Sequence, residues 1–113
     1  MKHEEVFLKH ILEEINFLLS KIEGKKMEEL LADELLKRAC ARSLEIIGEA
    51  AKNISPVFQK KHTDIEWKKL AGLRDKIIHY YFGVNWDIVW DVIQNKLPLL
   101  KVKIESILQE AEV

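Results

Sequence analysis

The chemically dense stretch of the chain is Arg74-Asp75-Lys76-Ile77-Ile78-His79-Tyr80-Tyr81. It places a permanently charged guanidinium, an imidazole that titrates near neutral pH and two phenols within eight residues. These types suffice to cleave an RNA phosphodiester. The imidazole can take or give a proton as the 2′-hydroxyl attacks, and the guanidinium can stabilise the charge that builds on phosphorus. That scheme requires no metal and no cofactor. Tyr80, Tyr81 and Trp86 offer faces for stacking on a base or for core packing. On a regular helix Asp75 and His79 are i, i+4 neighbours, so the carboxylate can hold the imidazole. Arg74 and His79 stand five residues apart, about 140° around a helix, and do not share a face. Either the helix end is distorted or two copies of the chain bring these residues together across a two-fold axis.

Helices must position this stretch. From about residue 3 to Glu23, Leu8, Ile11, Ile15, Leu18 and Ile22 recur at three- and four-residue steps, and Gly24 ends the pattern. A second pattern from Met27 to Asn53 runs through Leu31, Leu35, Cys40, Leu44, Ile47 and Ala51 and predicts one helix roughly 40 Å long. Its polar stripe, Arg38, Arg42, Glu45 and Glu49, suits ion pairs within or between helices, or an Arg42 directed into a cleft. Ser55-Pro56 opens a short helix, Val57 to Lys61. Thr63-Asp64-Ile65-Glu66 reads as a capping box opening a helix from Asp64 towards Phe82, which stops near Gly83. Asn85 caps a last helix from Trp86 to about Gln109, kinked at Pro98. The expected fold is all-α: four main antiparallel helices plus one short one, in one domain spanning residues 1–113.

The 113 residues carry 18 Lys and Arg against 19 Asp and Glu, a net charge of −1 that excludes nucleic-acid binding by bulk basicity. The charge is unevenly spread. Residues 1–36 carry a net −4, residues 37–79 a net +5 and residues 80–113 a net −2. The positive segment suits a phosphate backbone and contains Lys68, Lys69 and Lys76, which with Tyr80 are candidate RNA contacts. One cysteine, Cys40, flanked by Ala39 and Ala41, is expected to be a small buried side chain. No Cys/His cluster suggests structural zinc, and no apolar run suggests a signal peptide or membrane span. A reducing cytoplasmic setting fits these features. A core this small also gains from a second subunit.

Arg74, four residues, His79, one residue and Tyr81 form a pattern that resembles the HEPN superfamily, and within it the HepT-like branch of small toxins. Arg42-Ser43-Leu44-Glu45-Ile46-Ile47-Gly48-Glu49-Ala50-Ala51, Trp67 to Asp75 and Tyr81-Phe82-Gly83-Val84 extend the resemblance over nearly the whole chain. It implies a HEPN-type helical bundle and a homodimeric, metal-independent endoribonuclease with a composite site in a cleft between protomers. By position, Arg74 and His79 take the catalytic roles, with Asp75 as the polar residue after the arginine. The resemblance also implies a nucleotidyltransferase antitoxin of the MntA type that neutralises the toxin by AMPylation of Tyr81, the motif tyrosine beside Tyr80. A second reading is a helical dimerisation or nucleotide-binding module that docks such a nucleotidyltransferase without cutting RNA.

Overall fold

The computed structural model describes residues 2–79 and 83–112. The first helix, α1 (Lys2–Ile22), buries Leu8, Ile11, Ile15 and Leu18 completely. Their alternating steps of three and four draw one stripe along a 3.6-residue helix. Gly24, at φ +74°, ends it as expected.

The long second helix is broken. α2 (Met27–Ala32) and α3 (Glu34–Lys52) meet at Asp33, whose extended backbone (φ −109°, ψ 97°) cannot continue a helix. The Asp33 carboxylate accepts from the Leu36 N–H at 3.0 Å, so the break is also the cap of α3. It resets the helical phase. Leu36 turns inward, whereas Leu31 and Leu35, expected on the apolar stripe, stay 42% and 80% exposed. Cys40, Leu44, Ile47 and Ala51 are buried as their spacing predicts.

α4 (Pro56–Lys61) has Ser55 as its N-cap, accepting from the Phe58 N–H at 3.3 Å. The Ser55 N–H, outside that helix, donates at 3.2 Å to the buried carboxylate of Glu4. α1 and α3 therefore run antiparallel, because the start of one meets the end of the other.

The expected helix from Asp64 to Phe82 is shorter and divided. The Thr63 capping box does not form, because the Glu66 carboxylate pairs with Lys69 at 2.7 Å and Trp67 Nε1 donates to the His62 carbonyl at 2.9 Å. Helix α5 (Trp67–Ala71) begins only there and gives way at Gly72 to α6 (Leu73–Ile77). α5 lies so close to α3 that a Cβ on Gly48 would stand 3.4 Å from the Leu70 and Ala71 carbonyl oxygens. After Ile77 the chain turns extended. β1 (Ile78–His79) pairs antiparallel with β2 (Gly83–Val84), in the register Ile78 to Val84 and His79 to Gly83. The Asn85 N–H seals the hairpin on the Ile77 carbonyl at 2.6 Å.

Asn85 caps α7 (Trp86–Asp91) as predicted, accepting from the Ile88 N–H at 3.2 Å. Five residues of π-helix, Val92–Lys96, then lead into α8 (Leu97–Glu112). Leu97 N–H reaches back to Val92 O. The following Pro98 has no N–H for the Gln94 carbonyl and a ring that would strike it in an α-helix, and the wider turn accommodates both defects. A continuous helical path thus survives the proline.

α1, α3 and α8 form the central layer, with α5, α6 and α7 closing it around Leu44, Ile47, Ile77, Val89, Ile93 and Ile104. The molecule measures 44 × 30 × 19 Å. Among the described residues every buried side-chain polar atom has a partner, and no helix is long and apolar enough to cross a membrane.

Candidate functional site

Leu73 and Ile77, four residues apart on α6, are 6% and 0% exposed and anchor this short helix in the core. That anchoring turns the intervening Arg74, Asp75 and Lys76 to the surface. Arg74 crosses to α3, where its Nε lies 3.3 Å from Glu45 Oε2. Glu45 is the less exposed partner, with 28% of its side chain accessible against 58% for Arg74. An ion pair this open adds little stability, so its main effect is on orientation. A guanidinium held through Nε keeps its terminal nitrogens for a phosphate.

His79 does not continue the helix. Its backbone lies in the two-residue β1, so the 140° separation of a regular helix no longer governs its relation to Arg74. Of the two expected routes to convergence, the distorted helix end is present within one chain. α6 ends between Asp75 and His79, so the regular-helix spacing on which their i, i+4 pairing was expected does not extend to His79. The His79 side chain, Tyr80 and Tyr81 lie outside the described residues. Gly83, which opens β2, has a φ of +78° that is strained for any residue with a Cβ.

The remaining sequence candidates divide. Lys68 and Lys69 are exposed on α5, with Lys69 held by Glu66. Lys76 is exposed on α6, about 200° around the helix from Arg74, and so faces away from the Arg74–Glu45 pair. Trp86 is half-buried against the core, with the Lys37 ammonium 5.4 Å from its ring centroid. Packing is therefore its observed role. On α3 the ion pairs are Lys37 and Arg38 with Glu34, and Lys52 with Glu49. Glu45 thus serves α6 instead of its helix neighbour Arg42. Sequence alone did not select that partner, because i, i+3 spacing offered Arg42 as readily. Among the described residues no three His, Cys, Asp or Glu side chains are grouped to hold a metal ion.

The family model described as Ribonuclease HepT-like matches residues 11–107. A protein of Caldanaerobacter subterraneus subsp. tengcongensis, named as a candidate RNase, is 46% identical over 97% of this chain and 98% of its own. A protein of Methanocaldococcus jannaschii with a similar name is 40% identical over 98% of this chain and 92% of its own. One from Thermococcus cleftensis, named "Probable ribonuclease HepT", is 39% identical over 89% and 92%. No solved structure matches.

Proposed function

The chain belongs to the HepT-like ribonuclease family, and from that premise we propose that it is a cytoplasmic, single-domain toxin endoribonuclease. Its relatives' names support RNA as the substrate. The observation that carries the catalytic reading is the spacing of Arg74, His79 and Tyr81 in the sequence, with Arg74 on α6 and His79 in β1 just beyond its end.

In the proposed reaction the His79 imidazole accepts the 2′-hydroxyl proton. The 2′-oxygen attacks phosphorus, the 5′-oxygen of the next nucleotide leaves, and a cyclic phosphate results. Protonation of the leaving oxygen completes the balance. Arg74, steadied by Glu45, stabilises the negative charge on the phosphoryl oxygens, and Asp75, exposed on the same short helix, takes the polar position after the arginine. Because the work is proton transfer and charge stabilisation by side chains, the scheme needs no metal. A homodimer would assemble a composite cleft from two such junctions, and Lys68, Lys69 and Tyr80 would guide RNA towards it. A nucleotidyltransferase antitoxin would silence the toxin by moving AMP from ATP to the Tyr81 oxygen, with pyrophosphate leaving. The adduct places a negative phosphate where RNA phosphates must approach.

The test is cleavage of labelled RNA in the presence of EDTA. Wild-type protein should cut, and Arg74→Ala and His79→Ala should each lose about 10²-fold or more of the rate. Undiminished cutting by both variants would overturn the assignment. A folded wild-type protein that neither cuts RNA nor arrests growth would instead be the docking module.

A further inference from the structure

We propose that the groove between the α5–α6 segment and the start of α8 is a docking surface for an acidic, amphipathic segment of a protein partner. It goes beyond the proposed cleavage site and stands without it. The groove has a cavity of about 240 Å³. Its accessible apolar lining is Leu99 and the half-buried Leu100, set over the largely buried Leu70, Leu73 and Leu97, while Lys69, Lys76, Lys96 and Lys103 stand around it. Only Asp64 and Glu66 offset those four cations, a local net of +2 in a chain whose total is −1. Part of that rim is already engaged. Lys69 holds Glu66 at 2.7 Å, and Lys103 Nζ donates to the Asp64 carbonyl at 2.6 Å. Lys76 and Lys96 stand in no ion pair among the described residues and are exposed.

Two further features mark this face. Leu99, which lines the groove, and Val102, one helical turn on, remain 64% and 65% exposed. Adjacent apolar side chains on one helix face are less easily dismissed than scattered ones. The π-helical turn supplies both Val92 and Lys96 to the lining, so the local departure from α geometry coincides with the groove.

Charge and shape together identify the occupant. The lysine rim selects a negative partner, and the exposed Leu99 beside the half-buried Leu100 selects one with apolar side chains. Among the described residues no aromatic or arginine lines the groove, and so none offers it a stacking surface for RNA bases. An acidic protein segment satisfies both demands. From Lys96 to Lys103 the groove follows α8 for about 10 Å, which suits roughly two turns of a bound helix with apolar anchors at i, i+3 or i+4, and i+7. Lys76 reaches the groove from the opposite side of α6 to Arg74, so a docked segment would press on the element that carries Arg74 without covering its pair with Glu45.

The probe is a random sixteen-residue peptide library displayed on phage and selected against the intact, folded protein. Enriched peptides should be acidic, with apolar residues at helical spacing. Their affinity, read by fluorescence anisotropy, should fall at least about tenfold in Lys76→Glu/Lys96→Glu and in the milder Lys96→Gln/Leu99→Ser, and stay unchanged in Arg74→Ala. Circular dichroism checks that each variant is folded. No enrichment, enrichment of basic peptides, or binding indifferent to both double variants would overturn the proposal. So would an oligouridine whose affinity drops in these variants while peptide binding holds, since that makes the groove an RNA contact. RNA cleavage by the wild type is scored separately, so a lost ribonuclease and a lost docking surface are distinguishable results.

Discussion

Arg74 finds its anion on another helix, and the consequence is a guanidinium aimed by Glu45 while its far end stays open to solvent. Removing that aim should cost less than removing the charge. Glu45→Gln is expected to slow RNA cleavage several-fold, against the loss of about 10²-fold or more expected for Arg74→Ala. Single-turnover rates on one labelled RNA check the ranking, and equal losses would make Glu45 more than an orienting group. Cys40 shows the opposite extreme of exposure. Burial, with the Asp33 charge adding to it, pushes its thiol up from 9.0 to about 11. Between those values the unfolded chain releases a proton that the folded chain keeps, so stability is lost as pH rises from about 9 towards 11. Urea titrations on either side of pH 9.0 should show the decline, and Cys40→Ala should flatten it.

At the level of elements, the breaks matter as much as the helices. Gly83 opens β2 with φ +78°, and an alanine there meets backbone strain of about 1–2 kcal/mol. Gly83→Ala is therefore expected to lower the melting temperature and, because His79 pairs with Gly83, to reduce cleavage as well. Stability and cleavage measured on the same preparation test that coupling. Asp33→Ala removes the cap of α3, costing about 1 kcal/mol by chemical denaturation, along with the charge that adds to the Cys40 shift. Glu4 ties α1 to the start of α4. Hydrogen bonding from Ser55, side chain first and backbone second, holds its carboxyl below the ordinary 4.5. A depressed folded value stabilises above 4.5 and is lost as pH falls through the lower folded value. Glu4→Gln should make acid unfolding shallower. The sequence revealed the Ser55 and Asn85 caps because short polar residues precede apolar periodicity there. It hid the failure of the Thr63 box, because Lys69 and the Trp67 indole decide that contest in three dimensions.

For the whole molecule, the proposed composite cleft makes a prediction that no single-chain site would share. Arg74→Ala and His79→Ala proteins, each inactive alone, should regain part of the wild-type cleavage when unfolded together and refolded as mixed dimers. A mixed dimer supplies one intact arginine and one intact histidine to the same cleft. No regain, with mixed dimers demonstrated by native mass spectrometry, would place a complete site within each protomer. The elongated 44 Å body leaves room for this cleft and the α5–α8 groove on different sides of α6.

By itself the sequence determined the all-α class, the inward stripe of α1, the burial of Cys40, and the motif that carries the family resemblance. Each depends on periodicity or on residues close in the chain, where local geometry leaves few choices. The tertiary structure decided where helices stop. Asp33, Gly72 and Ile77 end or interrupt segments whose apolar patterns would continue, because capping, close packing on Gly48 and hairpin hydrogen bonds outweigh small differences in helix propensity. It also decided which carboxylate Arg74 meets and which lysines gather around one groove. Those partners come from distant parts of the chain, and only packing brings them within reach.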